Sequence, residues 1–407
     1  MRPPIGRDHA AALRHARRLL RAYPLIDGHN DLAWTIRNDT RAPGDVAAYD
    51  LRRRTRGHTD LARLRAGGVG GQFWSVYVPG DAGPEGFARL QLEQIDIARR
   101  VIARYPERLA LCLTAAEVER ARARGRVASL LGIEGGHAIE NSLGALRAYH
   151  ALGVRYMTLT HNVTTDWADA AVDIPRHGGL APFGHEVVRE MNRLGMLVDL
   201  AHVSPAVMDG ALRTSAAPVI FSHSSCRALT DVPRNVPDVI LARLPKNGGV
   251  IMLTFVAPFV SPEAAAARAA GLEEVRRRTA GVADRRARRR IEDEHFAAHP
   301  LPKATIEQVA DHVEHARRLA GVEHLGVGAD YDGNDHWPEG LEDTSRYPWL
   351  FAELVRRGWT DRDLAKLGRG NILRVLRAAE ATARRLQARR PSSRATLEDA
   401  VGPSPKA

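Results

Sequence analysis

The sequence predicts an α/β fold, a closed (β/α)8 TIM-like barrel, and three observations support this prediction. Eight short apolar segments have the character of buried strands, and amphipathic helical sequence separates most of them from the next. A chain of 407 residues suits one such barrel with insertions. The first strand is not followed by the G-x-G-x-x-G pattern that would favour an open, doubly wound sheet.

Each predicted element follows from local pattern. The first strand begins near Leu25, and the other seven cover residues 69–78, 127–133, 155–160, 196–200, 218–221, 249–255 and 324–329. Helical periodicity marks residues 8–22 before the first strand and residues 85–105, 142–152, 183–194, 205–213 and 305–320 between later ones. Thr305, with Glu307 in the following turn, is a typical helix start.

The organisation expected from these elements is a single (β/α)8 domain over residues 1–388. A charged, largely helical insertion occupies residues 261–300, directly after the seventh predicted strand. Residues 389–407 are rich in proline and serine, which predicts a short disordered C-terminal tail.

The chain is strongly basic, with a net charge of +11, which raises the question of nucleic acid binding. Only four of its 59 basic residues are lysines, and the arginines are spread over most helical segments among Asp and Glu. The densest arginine cluster, in the 261–300 insertion, lacks interleaved aromatic residues on which bases could stack. We therefore expect a solvated, arginine-rich surface and no nucleic acid partner.

The termini and cysteines bear on location. No apolar run approaches the roughly 20 residues that a membrane-spanning helix needs, and the basic N-terminus lacks the apolar centre of a secretory signal. Cys112 and Cys226 are the only cysteines, too few for a disulfide framework, and we expect both to be buried, reduced thiols. These patterns predict a cytoplasmic protein without a membrane partner.

Metal-competent side chains recur where predicted strands end. They are His29 and Asp31, Glu134, His161, His202, His223 and Asp330, from six different strands. In a (β/α)8 barrel such residues meet at one face. Four histidines and three carboxylates exceed the needs of one tetrahedral zinc and fit two metals that share a bridging carboxylate and a nucleophilic water. Nitrogen and oxygen donors suit zinc, manganese or nickel comparably, so the donors leave the metal open.

Each of these residues also has an ordinary explanation when taken alone. His202 and His223 could be core histidines, Glu134 could cap the following helix, and Arg234 could pair with Asp238 on the surface. All of these explanations holding together, on successive strands of one barrel, is improbable.

Several motifs resemble a known family. LIDGHNDLAW, SLLGIEGGHAIENS, YMTLTHN…WAD, MLVDLAHVS, VIFSHSSCRAL…RNVPD, GVGADYDG and GRGNILRVL run in order from Leu25 to Asn371. Together they resemble the membrane (renal) dipeptidase family of the amidohydrolase superfamily. The resemblance implies a zinc-dependent dipeptidase on a TIM-like barrel, commonly a homodimer, with two Zn2+ per chain.

The resemblance also implies roles. His29 and Asp31 look like ligands of the first zinc, His202 and His223 look like ligands of the second, and Glu134 looks like the carboxylate that bridges the two. Asp330 looks like the acid/base residue, and His161 looks like the residue that polarises the scissile carbonyl. Arg234 looks like the residue that binds the substrate carboxylate. These assignments predict catalysis by Asp330 and His161 and substrate binding by His161 and Arg234. A planar guanidinium suits the carboxylate clamp.

Two departures from the family qualify the expectation. Mammalian members have a tyrosine beyond the seventh strand that helps hold the substrate carboxylate, where this chain has TFVAPFV with Phe255 and Phe259. The cysteine that secreted members use for a disulfide is absent from the loop after His161. Hydrolysis of N-acyl amino acids or lactones by the same centre stays open as an alternative. Loops 35–60, 163–182 and 256–300 are expected to form the pocket walls and to set side-chain preference, including any acceptance of C-terminal D-residues.

Overall fold

The computed structural model describes residues 7–81 and 86–401. Within them, nine strands form one sheet whose pairings are all parallel: β1 (Leu25–Asn30), β2 (Val69–Ser75), β3 (Leu109–Leu111), β4 (Val127–Glu134), β5 (Val154–Thr158), β6 (Leu197–Asp199), β7 (Ile220–Ser224), β8 (Val250–Leu253) and β9 (Leu325–Val327). Most of their residues are buried, as expected for parallel strands that helices cover.

Eight of these strands close into a barrel, which confirms the predicted fold class. The order around the barrel is β1, β2, β4, β5, β6, β7, β8 and β9, and β9 returns to β1 at the pair Asp27 and Val327. Strand β3 is additional. It pairs with the first half of β4, below the point where β5 joins the same edge, and its three residues are too few for a periodic signal.

Helices surround the barrel. In the described residues they are α1 (Arg7–Ala22), α2 (Leu32–Arg37), α3 (Leu61–Ala66), α4 (Phe87–Arg104), α5 (Ala115–Ala123), α6 (Leu143–Ala151), α7 (Pro182–Leu194), α8 (Pro205–Thr214), α9 (Asp238–Leu241), α10 (Leu244–Asn247), α11 (Ala257–Val260), α12 (Pro262–Thr279), α13 (Arg285–Ala298), α14 (Ile306–Ala320), α15 (Tyr347–Arg356), α16 (Asp361–Ala365), α17 (Asn371–Gln387) and α18 (Leu397–Val401). The expected start at Thr305 is present, because the Thr305 side chain accepts from the backbone N–H of Gln308 in a reciprocal capping box.

The expected insertion at residues 261–300 is a pair of helices. The chain leaves β8, makes the short helix α11, and then runs through α12 and α13, which pack on each other and on α11 before α14 begins. Ser261 caps α12 by accepting from the N–H of Ala264. This pair stands at the end of the barrel where strand β8 terminates, which places it beside the strand-end residues.

The C-terminal segment differs from the expected disordered tail where the structure describes it. Ser393 donates its backbone N–H to Glu190 of α7 and accepts from Arg147, and Leu397 packs on the core. These contacts attach the segment that contains Ser393 and Leu397 to the surface of the barrel domain. Residues 402–407 lie outside the described residues, so their disorder and the domain boundary at 388 stay predictions.

The side chain of Tyr156 fills part of the barrel interior. Tyr156 on β5 is fully buried, and its ring occupies the space beside Gly132 on β4. A Cβ at position 132 would lie 2.0 Å from the Tyr156 ring, so only glycine fits there. The Tyr156 hydroxyl reaches upward to His29 at the end of β1. The core therefore supports the strand-end site directly.

Two further sequence expectations concern the cysteines and the membrane. Cys112 and Cys226 are buried free thiols, as expected. Burial raises the pKa of Cys112 to about 11 and that of Cys226 to about 12. Among the described residues, no helix has both the length and the apolar composition to cross a membrane.

Candidate metal centre and substrate cavity

The seven predicted strand-end residues converge at one end of the barrel. His29 lies in β1 and Asp31 directly follows that strand, Glu134 ends β4, and His223 lies in β7. His161, His202 and Asp330 each stand three residues beyond their strand. Parallel strands end at the same face of a barrel, so residues separated by up to about 300 positions in sequence come together here.

Glu134 is the centre of the cluster. Its Oε1 atom lies 3.0 Å from Nε2 of His202, 3.3 Å from Nε2 of His223, 3.6 Å from Nε2 of His29 and 3.8 Å from Nε2 of His161. Three triads each bring one ligand atom per residue within 4.8 Å of the others: His29–Glu134–His223, Glu134–His161–His202 and His29–Asp31–Asp330. Glu134 belongs to two triads and His29 also to two, the pattern expected of adjoining metal positions.

The imidazoles of His202 and His223 are oriented as metal ligands. Nδ1 of His202 donates to Oδ1 of Asn162 at 3.0 Å, and Nδ1 of His223 donates to Oγ of Ser222 at 2.8 Å, because that hydroxyl gives its own proton to Asp199. Each ring therefore carries its proton on Nδ1 and presents the Nε2 lone pair to the cluster. The two Nε2 atoms face each other at 2.9 Å, a repulsive arrangement that a cation would make favourable.

The other side of the cluster is richer in carboxylates. Nε2 of His29 lies 3.1 Å from Oδ2 of Asp31 and 3.8 Å from Oδ1 of Asp330, while Nδ1 of His29 is held by the Tyr156 hydroxyl at 2.8 Å. Oδ1 of Asp31 is buried and has no hydrogen-bond partner among the described residues. A buried carboxylate oxygen without a partner is costly, so the donors present fit bound divalent metal.

Burial and mutual charge perturb the pKa values throughout the cluster. Burial lowers the pKa of His202 and His223 well below the usual value, which keeps these imidazoles neutral as ligands must be. Burial alone would raise the pKa of Glu134, but the neighbouring imidazoles, led by His29, hold it well below its usual value. The pKa of Asp330 shifts in the opposite direction, because burial raises it well above the usual value and the charges of Asp31 and Glu134 add to the rise.

Two of these residues have left-handed backbones. His202 has φ of 65° and Asp330 has φ of 73°. Residues other than glycine rarely adopt this conformation, and they do so mainly where the surroundings enforce it at functional sites. The turns that follow β6 and β9 therefore direct these two side chains back over the barrel mouth.

Two buried carboxylates beneath the cluster were not singled out from the sequence. Asp27 accepts from the backbone N–H of His29 and from Ala329, Gln72 and Tyr347, so it joins β1 to β2, β9 and α15. Asp199 accepts from Ser222 and Thr158. Burial raises the pKa of both. The available signal was a single carboxylate within each of two otherwise apolar strands, in LIDGH and LVDLAH.

A cavity of about 480 Å³ opens above the cluster. Besides the strand-end residues Asp31, Glu134, His161, His202 and Asp330, its lining consists of Trp34, Tyr77, Asn162, Val172, Arg234, Val256, Pro258, Phe259, Arg268, Leu272, Arg289, Gly333, Asn334 and His336. The expected walls 163–182 and 256–300 are present. The expectation for 35–60 is wrong for this cavity, because Trp34 and residues 333–336 stand in its place.

Arg234 lies in this cavity and not on the surface. Its side chain is buried, its Nη2 donates to the carbonyl of His223, and its Nη1 has no partner among the described residues. Asp238 pairs instead with His315 at 2.8 Å, so the surface-pair explanation for Arg234 fails. The guanidinium lies 5.2 Å from the ring centre of Phe259, one of the two phenylalanines noted where mammalian relatives have tyrosine. Phe255 packs on Tyr331 and Tyr347 instead.

A (β/α)8 barrel whose strand ends gather four imidazoles and three carboxylates beneath a polar cavity belongs to the class of metal-dependent hydrolases. The family model described as Membrane dipeptidase (Peptidase family M19) matches residues 13–390. The chain belongs to this family.

Two relatives agree with this assignment, and two solved structures are similar in fold. Dipeptidase 3 of Mus musculus and of Rattus norvegicus are each 41% identical over 367 residues, or 89% of this chain. The chain spans 66% of the length of each of these relatives. A metallo peptidase from Rhodobacter sphaeroides, liganded with a phosphinate mimic of the dipeptide L-Ala-D-Ala, is 25% identical with a TM-score of 0.71 over 88% of this chain and 99% of that one. The probable dipeptidase PvdM from Pseudomonas aeruginosa shares the fold, at 22% identity and a TM-score of 0.81 over 92% of this chain and 100% of that one.

Proposed function

We propose that this protein is a zinc-dependent dipeptidase with two metals per chain that hydrolyses the peptide bond of dipeptides, including those with a C-terminal D-residue. The observation that carries the proposal is the position of Glu134, whose Oε1 atom faces the Nε2 atoms of four histidines at 3.0–3.8 Å. Membership of the Membrane dipeptidase family supports the substrate class. The dipeptide mimic in the Rhodobacter sphaeroides relative supports the extension to D-residues.

The residues divide into two ligand sets. His29 and Asp31 would hold the first metal, His202 and His223 the second, and Glu134 would bridge them. When bound, two such cations supply Lewis acidity and lower the pKa of a water held between them. Zinc is the proposed metal because it takes imidazole and carboxylate ligands readily, although the donor set also suits manganese or nickel.

Asp330 is the proposed acid/base residue. Asp330 lines the cavity, and its Oδ1 atom lies 3.8 Å from Nε2 of His29. Burial and the neighbouring carboxylates favour its protonated form, while nearby metal charge would favour the ionised form. A carboxyl group balanced in this way can accept the proton of the attacking water and deliver it to the departing amine.

His161 and Arg234 are the proposed substrate contacts. Burial lowers the pKa of His161 to about 4, so its imidazole is neutral near pH 7 and can donate one N–H to the carbonyl oxygen as negative charge develops there. Arg234 has an Nη1 without a hydrogen-bond partner among the described residues, and its guanidinium lies over the ring of Phe259. It would bind the free carboxylate of the dipeptide without the tyrosine that mammalian relatives use.

We propose further that the protein is a cytoplasmic homodimer that binds neither nucleic acid nor membranes. The two buried free thiols are in keeping with a reducing compartment. The dimer is suggested by the family resemblance. Light scattering on the purified protein tests the dimer, and a single-chain mass would contradict it.

The experiment that tests the main proposal is a substrate panel on zinc-loaded protein. The panel contains L,L-dipeptides and L,D-dipeptides alongside N-acetyl amino acids and lactones. We expect hydrolysis of dipeptides and weak or absent turnover of the other two classes. Efficient turnover of N-acyl amino acids or lactones without dipeptide hydrolysis would establish the alternative amidohydrolase activity and overturn the proposal.

A further inference from the structure

The cavity contains a second arginine that the reaction described above does not use. Arg268 lies on α12 of the insertion and lines the same cavity as Arg234 and Asp330. Its side chain is only partly exposed. The guanidinium lies over the ring of Phe296 from α13, 5.7 Å from the ring centre, so the helix pair holds it in a defined orientation.

Neither guanidinium forms an ion pair with a carboxylate of the described residues. In residues 7–81 and 86–401, no carboxylate forms an ion pair with Arg234 or with Arg268, whereas Arg276, Arg277 and Arg289 of the insertion each have one. Arg289, the third arginine of the lining, is paired with Asp293 at 2.9 Å. A partly or fully buried cation is normally paired. Two unpaired guanidiniums in one cavity therefore indicate a ligand with two carboxylates.

One carboxylate, that of Glu292, acts electrostatically on Arg268 without forming an ion pair with it. His336 lines the cavity beside it and burial lowers the pKa of this imidazole, with Arg268 and Arg289 adding to the effect. Glu292 and Asp293 both form ion pairs with Arg289, and neither carboxylate forms one with Arg268.

The two guanidiniums are connected through adjoining elements. Arg234 lies against Phe259 of α11, and α11 packs on α12, which begins two residues after α11 ends and carries Arg268. Aromatic and apolar side chains such as Trp34, Tyr77 and Val172 supply other parts of the lining. A substrate whose α-carboxylate is bound by Arg234 would therefore lie in the same cavity as Arg268.

We propose that Arg268 is a specificity-determining residue that binds a carboxylate side chain on the C-terminal residue of the substrate. The preferred substrates are then dipeptides ending in aspartate or glutamate. This inference rests on the dipeptidase function proposed above. An acidic dipeptide would supply one carboxylate to each unpaired guanidinium, whereas a neutral dipeptide would leave Arg268 without a partner.

The test compares isosteric substrates that differ in one charge. The values of kcat/KM are measured on zinc-loaded protein for Ala-Glu against Ala-Gln and for Ala-Asp against Ala-Asn, with L- and D-configured C-terminal residues. We expect the acid to be preferred by about tenfold or more, in line with a charge-assisted hydrogen bond, and mainly through KM. In Arg268→Gln the ratio should fall to within about threefold of one, and Arg268→Lys should restore part of it.

The matched control is Arg276→Gln. Arg276 lies on the same helix, is exposed, pairs with Glu273 at 2.9 Å and is absent from the cavity lining, so this variant should keep the wild-type ratio. A wild-type enzyme that cleaves dipeptides with acid-to-amide ratios near one would overturn the inference and leave the proposed function standing. So would a preference that survives in Arg268→Gln, or one that appears for Glu-Ala over Gln-Ala and not at the C-terminal residue. Absence of all dipeptide cleavage would instead overturn the proposed function.

Discussion

The metal cluster and the cavity wall are built by different means. Every ligand candidate of the cluster stands on or just beyond a barrel strand, and three of its imidazoles are held by hydrogen bonds to Tyr156, Ser222 and Asn162. The wall consists mainly of loops and of helices α11 to α13, where arginines lie against single phenylalanine rings. A strand-built site holds geometry tightly, whereas a helix-and-loop wall can vary in sequence without disturbing the barrel. We therefore expect changes in the cluster to alter metal content and kcat, and changes in the wall to alter KM and substrate choice.

The largest effect is expected for Glu134→Gln. The substitution keeps the size of the side chain but removes the charge that four imidazoles face, so both metal positions lose their shared ligand. We expect metal content to fall below one equivalent per chain and kcat to fall by about 10⁴-fold or more, because the metal effects are lost together. Elemental analysis with steady-state kinetics measures both. Full metal content in this variant would show that Glu134 does not bridge.

Asp330→Asn should lower kcat without changing metal content. The amide occupies the same space but cannot carry a proton between water and leaving group. We expect kcat to fall by about 10²–10⁴-fold, with both metals retained. Loss of one metal in this variant would make Asp330 a ligand of the His29–Asp31–Asp330 triad and not an acid/base residue.

Arg234→Ala tests the wall side of the comparison. Removing the guanidinium leaves the substrate carboxylate without its partner, and kcat/KM for dipeptides should fall by about 10–100-fold, chiefly through KM. Metal content should not change. If kcat/KM stays at the wild-type value, Arg234 does not bind the carboxylate.

Asp199→Asn is expected to have the smallest effect on catalysis of this series. Asp199 acts on the cluster through Ser222, which accepts from Nδ1 of His223. Weakening this support should lower metal affinity by about 10–100-fold, measured by competition with a chelator, while the fully loaded enzyme keeps most of its kcat. An unchanged affinity would mean that the His223 ring is held by packing alone.

The same contrast explains what could be predicted from the sequence. His29, Glu134 and Asp330 could be placed together because strand ends of a (β/α)8 barrel share one face, whatever their separation in sequence. Asp27 and Asp199 gave only a weak signal in the sequence, because a carboxylate inside an apolar strand acquires partners only when neighbouring strands pair. Strand β3 gave no signal because three residues show no periodicity.

The wall was harder to predict for a related reason. The insertion at 261–300 could be recognised as charged and helical, but its pattern gave no indication of which arginine faces the cavity. Arg268 and Arg276 are both arginines on α12, and only packing on α11 and α13 turns one towards the site. The contribution of residues 333–336 to the cavity lining could not be predicted from the sequence either, because it depends on the direction in which the chain leaves β9.

The most direct test of the proposed binuclear centre is a zinc titration of metal-free protein with dipeptide hydrolysis as the readout. Zinc is added in fractions of an equivalent and the rate of Ala-Ala cleavage is followed. The account predicts a rate that rises to a plateau at two equivalents of zinc per chain. A plateau at one equivalent, or a rate that does not depend on added zinc, would contradict it.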